Sequence, residues 1–494
     1  MKVRTIAAGA LALALLLTAC GPAAGPALST TPTSPPEATP VPDEAVFAEL
    51  MAEVETRNGG IDAPAEGLDR FKYDFEGGGP LLTGEEWGMQ GPEEAPDTLS
   101  AADAKAEVDY LFRLLRTHYG LYTWFGGDET FGAAEGRVLS ALEGREEIPV
   151  WEYRNLLLAG LDFLDDGHFN LGGRSMGTRQ FLYCDENRLF DRRDGAFYLE
   201  GRRLEAVDGE DPAAYVKRAI GPVGELTWKL YATGQGEYVH TVALTFDDGA
   251  EFAGLPRVRD TEYTIGTGDG PLLLAEQDGA LVIQMDKMTF GPGDDVVETM
   301  IGDGSPEADF VAAAEAAQDY PVAMVNLTRN HGGNGDLPLR WFRAFTGVEP
   351  QRNYATLGLN RFDWNLRTGE VQEGAYRVHR PSPQYLERED GPFLIVLTSG
   401  STASAAEGFT DLAHNLGRAL VIGSNTGGCL TGSQTWSGRR LPWSGLTLAW
   451  GADLFYWPPD YFQEGVGLEP DVYLTGGGQD LRLAQFLARY LPET

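Results

Sequence analysis

The sequence predicts an α/β protein in which a helical region and a β-rich stretch precede a strand–helix core. Three observations carry this reading. Gly391 to Gly428 reads as strand, sharp turn, helix and strand. From residue 271 onward short apolar runs alternate with helical ones, and between 181 and about 270 short alternating runs are separated by Gly and Asp.

Taken in chain order, the first element is a leader. Lys2 and Arg4 form a basic start, Ile6 to Leu17 an apolar run, and Leu17-Thr18-Ala19-Cys20 a small-residue cleavage site. Residues 1–20 resemble a bacterial lipoprotein signal, which implies acylation of the Cys20 thiol and an extracytoplasmic protein held to the cell membrane by its lipid. Residues 21–43, rich in Pro, Thr, Ser and Ala, read as a flexible tether. Residues 44–95 form an N-terminal extension of unassigned role, with one helical stretch from Ala45 to Glu55.

Residues 96–180 are expected to be helical: Val108, Leu111, Leu114 and Leu115 share one face, and Tyr153, Leu156, Leu157 and Leu161 another. Ser100 with Asp103 three residues on can cap the first helix. The region closes on Asp165-Asp166-Gly167-His168, a helix running into a turn. Residues 181–270 are β-rich, with strands at Ala196–Leu199 and Tyr238–Phe246, and Gly201–Gly209 followed by a helix over Pro212–Ile220 looks like part of a PDZ-like module. Residues 271–494 form the core, with strands at Ala280–Gln284 and Val322–Leu327 and helices at Ala308–Ala317 and Leu337–Phe345.

Within the core, Phe393 to Leu397 is a continuous apolar run, as a strand covered on both faces requires. Ser401 to Glu407 is made of small residues that permit a tight turn, Phe409, Leu412, Ala413 and Leu416 follow at helical spacing, Gly417 supplies a stop, and Ala419 to Ile422 is the next strand. Free N–H groups at the start of that helix face whatever sits beside Ser404, and an oxyanion suits them. Ser404 reads either as a nucleophile or as an ordinary N-cap.

Val325 to Gly333 sets paired glycines after a buried strand, and Glu464-Gly465-Val466-Gly467-Leu468-Glu469-Pro470-Asp471 lies near the C-terminus. With Thr402-Ala403-Ser404-Ala405-Ala406-Glu407 and Asp166-Gly167-His168, this order resembles the tail-specific or C-terminal-processing serine peptidases that share the tricorn-protease core. The resemblance spans roughly residues 100 to 494 and implies a crotonase/ClpP-like core. Where the serine-lysine branch has Thr-Phe-Gly-Lys, this chain has Thr426-Gly427-Gly428-Cys429, and the family's Asp-x-Arg is Asn326-Leu327-Thr328. The tricorn-like branch uses histidine as base, which maps the catalytic set onto Ser404, His168 and Glu464. Its serine before the histidine is Gly167 here, which keeps Asp165 and Asp166 open as the residue orienting His168. Gly332 or Gly333, with Ala405, would supply the oxyanion donors.

On this reading the chain is a serine endopeptidase acting on peptide or protein substrates, needing no metal or cofactor. A catalytically inactive relative that binds peptides or ligands at the cell surface is the alternative, and a solute-binding lipoprotein a third. The formal net charge of -36 disfavours nucleic acid and leaves the lipid anchor as the expected membrane contact. Beyond Cys20 only Cys184 and Cys429 remain, too few for a disulfide framework, so both are expected to be free thiols. Nothing in the pattern addresses oligomeric state.

Overall fold

The structure, a computed structural model, describes residues 42–491 apart from 63, 65, 76, 237, 260–262, 264–271, 278, 290–304, 360–375 and 382–384. Cys20, the leader and nearly all of the tether lie outside the described residues. Helix α1 (Asp43–Gly59) runs past the expected Ala45–Glu55 at both ends, and a short helix α2 (Gly84–Trp87) follows. Strands β1 (Thr98–Ser100) and β2 (Glu147–Pro149) pair around α3 (Ala101–His118) and α4 (Gly127–Ala141), and α5 (Val150–Gly160) leads toward His168. Ser100 caps α3 as its pattern predicts: its hydroxyl oxygen accepts from the Asp103 N–H at 3.1 Å.

A hairpin of β3 (Asn170–Leu171) and β4 (Arg174–Ser175) then gives way to seven strands: β5 (Phe181–Arg193), β6 (Ala196–Leu199), β7 (Arg202–Val207), β8 (Val216–Ile220), β9 (Leu226–Gly234), β10 (Val239–Phe246) and β11 (Gly249–Pro256). Pro212–Ile220, expected to be helical, is one 3-10 turn at Pro212–Ala214 followed by β8. Asp211 caps only that turn, accepting from the Ala213 N–H at 2.9 Å, and β8 then pairs with β9 along its whole length. Cross-strand pairing has overridden a local pattern that suits helix.

The core strands are β12 (Leu272–Gln277), β13 (Ala280–Met285), β14 (Val322–Asn326), β15 (Ala355–Leu359), β16 (Tyr376–His379), β17 (Phe393–Thr398), β18 (Ala419–Gly423), β19 (Gly432–Arg440), β20 (Thr447–Tyr456) and β21 (Val472–Tyr473). The helices among them are α6 (Pro306–Ala316), α7 (Asp336–Thr346), α8 (Ala405–His414) and α9 (Gln479–Tyr490). Among the described residues one sheet of 13 strands runs β11-β10-β7-β6-β5-β9-β8-β21-β18-β17-β14-β13-β12. Its centre, β13 to β21, is parallel. Both faces there are covered: Leu394 and Val396 pack with the α6, α7 and α8 layer, Ile395 and Leu397 with α1 and α9. Burial of each such side chain contributes about 1.5 to 3 kcal/mol. This packing makes β17 rigid, and β17 ends where the turn to Ser404 begins.

A second sheet, in the order β16-β15-β20-β3-β4 with β19 on β20, joins the helical N-terminal region to the core. It carries the segment after His168 on β3 and the segment after Cys429 on β19, both paired with β20, so residues far apart in the chain form one wall.

Candidate active site

Between β17 and α8 the chain turns sharply, and Ser404 sits at the turn with φ 56° and ψ -120°. A non-glycine residue there is strained, and such strain persists only where neighbours over-determine it. Three of them are in view. The Ala403 N–H donates to the Asn330 carbonyl at 2.9 Å, the Thr402 hydroxyl to the Leu327 carbonyl at 2.8 Å, and the Ser404 N–H to the Glu407 carboxylate at 2.8 Å. Helix α8 ends at His414, earlier than the Gly417 stop predicts, because the segment at Leu386 captures its end: Leu386 donates to the Asn415 carbonyl and Gly417 to the Leu386 carbonyl, each at 2.8 Å. The left-handed residue is Arg418, φ 56°.

Glu407 does more than favour a helix dipole. Its carboxylate is fully buried and also accepts from the Thr426 hydroxyl at 2.7 Å, the Gly428 N–H at 2.8 Å and the Cys429 N–H at 2.9 Å. It therefore ties the nucleophile turn to the segment that stands where the serine-lysine branch has its lysine. Burial pushes its pKa up while these donors pull it down.

The His168 imidazole reaches Ser404 across the fold, with Nε2 at 3.0 Å from Oγ. Packing around the ring pushes its pKa below the ordinary histidine value, against the pull of the Asp166 carboxylate and the Gly432 carbonyl. The ring is thus held neutral and able to accept a proton. Two carboxylates grip its backbone: Asp166 accepts from the His168 N–H and Glu464 from the Gly167 N–H, each at 2.9 Å. Asp165 is elsewhere, accepting from the Thr178 N–H at 2.6 Å.

Glu464 accordingly departs from its expected contact with the ring. Its second oxygen is taken by the Thr431 N–H at 3.0 Å and the Leu430 N–H at 3.3 Å, so it acts on the histidine only through the Gly167 peptide. With glycine at 167 there is no hydroxyl to bridge the gap. The side-chain atom beside Nδ1 is Cys429 Sγ, at 3.5 Å. Burial, then Glu464, Glu407 and Asp166, raise that thiol's pKa well above its ordinary value, so Cys429 is a neutral neighbour rather than a thiolate. A Cβ on Gly167 would lie 2.5 Å from Cys429 Sγ, which is why glycine stands there. Cys184 and Cys429 are both free thiols.

The paired glycines divide their roles. A Cβ on Gly332 would lie 2.6 Å from the Ser404 Cβ, so only glycine allows this close approach. Its N–H, however, donates to Asn330 Oδ1 at 2.8 Å and is not available to an oxyanion. The N–H groups of Gly333 and Ala405 have no acceptor among the described residues, and both residues line the cavity that Ser404 lines. Asn330, buried and also donating to the Met285 carbonyl at 2.8 Å, is the residue that sequence reading missed. Its signal was only an asparagine next to the glycines. Asn326 and Thr328 form a neutral turn, Asn326 Oδ1 accepting from the Thr328 hydroxyl at 2.7 Å.

Pro470-Asp471 is structural: Asp471 accepts from the Val421 N–H at 2.6 Å and returns a bond to the Val421 carbonyl at 2.8 Å. Ser404, His168 and Cys429 open into a cavity of about 590 Å³. Among the described residues no group of three or more His, Cys, Asp and Glu could hold a metal ion, and no helix is long and apolar enough to cross a membrane.

Residues 298–474, which include Ser404, both glycines and Glu464, match the family model for peptidase family S41. In that stretch the chain is similar to peptidase family S41. His168 lies outside the region matched to the S41 model and is brought to it by the second sheet. Solved structures similar to the chain include mature CPAF, at 14% identity and a TM-score of 0.41, covering 79% of this chain and 96% of that one. The photosystem II D1 C-terminal processing protease is similar at 15% identity and TM-score 0.34, covering 75% and 92%. Tricorn protease is similar at 13% and 0.33, covering 77% and 35%. No curated protein matches the chain.

Proposed function

We propose that this chain is an active serine endopeptidase working outside the cytoplasm, anchored through acylated Cys20, with Ser404 as nucleophile and His168 as base. The observation that carries the reading is the 3.0 Å approach of His168 Nε2 to Ser404 Oγ, next to two N–H groups that have no acceptor among the described residues. Ser404 Oγ attacks the scissile carbonyl carbon while Nε2 takes its proton. The Gly333 and Ala405 N–H groups hold the oxyanion, each worth about 3 to 4 kcal/mol in the transition state. On collapse the C–N bond breaks and the imidazolium returns the proton to the leaving amine. Water then repeats the sequence on the acyl-enzyme. Asp166 stabilises the imidazolium by charge, and Glu464 positions the Gly167-His168 peptide.

A fluorophosphonate probe tests this reading. Labelling at Ser404 that disappears in His168→Ala is the expected result, and well-folded protein that refuses the label would favour the surface-binding alternative. In a peptide-hydrolysis assay Ser404→Ala and His168→Ala should each lose on the order of 10^6 in kcat, as groups acting as a unit do. Incorporation of radiolabelled palmitate in cells, lost in Cys20→Ala, tests the anchor; its persistence in that variant would remove the anchor from the proposal.

A further inference from the structure

The cavity at Ser404 extends past the nucleophile along the first turn of α8. Gly408, four residues on and so on the same helix face as Ser404, lines it with Arg352, Tyr354 and Phe455. Arg352 is the one arginine or lysine among the described residues that line this cavity. Its Nη2 donates to the Gly335 carbonyl at 3.0 Å, and its guanidinium carbon lies 5.4 Å from the Tyr354 ring centroid. Its Nε is buried with no partner. Among the described residues it forms no ion pair with a carboxylate; its side chain also bonds the Tyr354 hydroxyl, and Asp411 deeper in the fold feels its charge. Arg352 thus lines the cavity as a permanent cation with no carboxylate partner among the described residues, and a planar fork suits a carboxylate best. Asp336 also lines the cavity, but it is exposed and screened by solvent.

We propose that this cavity is a substrate subsite in which Arg352 selects a carboxylate, and that Gly408 is glycine to leave room for the group that carries it. A Cβ at Gly408 would meet nothing within 4 Å, so the space beside it is open to the substrate. The proposal rests on the peptidase reading for the word substrate, while the carboxylate preference can be read without turnover. An acidic side chain or a free chain end would each present such a carboxylate, and the two are separable.

The test measures peptide binding to the full chain carrying Ser404→Ala, by fluorescence anisotropy. The probes are decapeptides in which one glutamate is walked through the sequence, each paired with its glutamine counterpart, and each made with a free or an amidated C-terminus. The expected result is about a tenfold or larger loss of affinity when the favoured glutamate becomes glutamine, the size a charged hydrogen bond supplies. Preference for the free over the amidated end, without a glutamate effect, would assign the same site to the α-carboxylate. Either preference should collapse towards unity in Arg352→Gln, recover in part in Arg352→Lys, and weaken in Gly408→Leu, where the new side chain fills the cavity. No discrimination with Arg352 present, or discrimination that survives Arg352→Gln, overturns the proposal. Turnover by the wild-type chain without carboxylate preference would sink this inference and leave the peptidase; preference without turnover would do the reverse.

Discussion

At the scale of single residues, the site separates proton transfer from the control of it. His168 has no carboxylate on its ring, so what tunes it is the field of buried Asp166 against the cost of packing the imidazole. The first effect raises its pKa and the second, larger one lowers it. The catalytic form is the neutral ring, so the acid limb of kcat/KM should fall below the ordinary histidine value of about 6.5. Asp166→Asn removes the upward pull. A pH profile of that variant should show the limb displaced further to acid, together with a lower plateau because the imidazolium is less stabilised. A limb that stays in place would mean that Asp166 holds the backbone and nothing more. Ser404 and the two glycines were legible in the sequence because each sits where a buried strand gives way to a turn, and His168 because it closes a helix running into a turn. The division of labour between Gly332 and Gly333 was not, since it turns on a single hydrogen bond to Asn330.

At the scale of elements, the wall between the turn at His168 and the strand after Cys429 is a fitted pair. Gly167 and Cys429 each occupy the room the other leaves. Read one at a time, both look like erosion of a family pattern; side by side they are complementary in volume. Gly167→Ser should therefore lower stability by about 1 to 3 kcal/mol through overpacking, and a second change, Cys429→Ala, should restore part of it. Denaturant unfolding of the two single variants and the double variant reads this directly. Simple additivity would show that the two positions do not share space. The continuous apolar runs made β14, β17 and β18 legible, because a strand covered on both faces has few alternatives. Pro212–Ile220 was misread for the opposite reason: its pattern is weak locally and its partner strand, β9, lies later in the chain.

At the scale of the whole molecule, the strongly acidic chain keeps several carboxyl groups out of water. Burial, reinforced by nearby Asp166, pushes Glu464 up to about 8. Its folded pKa is thus above the unfolded value of about 4.3, and the native state holds a proton the unfolded chain has lost. Stability from this group is fully present below the unfolded pKa and is lost as pH rises through about 8. His118 and His414 act in the other direction: burial lowers them to about 3 and about 4, so their contribution is lost as pH falls below the ordinary histidine range. Between pH 7.5 and 8.5 the buried histidines are almost wholly neutral in both states and Glu464 gives a downward slope, on the order of 1 kcal/mol per pH unit. Melting temperatures across that window should fall in the wild type and fall less steeply in Glu464→Gln. Equal slopes would place the titration on another group.

The neutral turn at Asn326 and Thr328 has a consequence for the setting in which the molecule works. Amide and hydroxyl bonds from Asn326 and Thr402 brace the floor under the nucleophile, and the charge pair that ionic strength can weaken, Arg329 with Asp286, stands beside them at the partly exposed edge. Turnover of an uncharged substrate should therefore decline only modestly from dilute buffer to brine, and Arg329→Gln should flatten what decline there is.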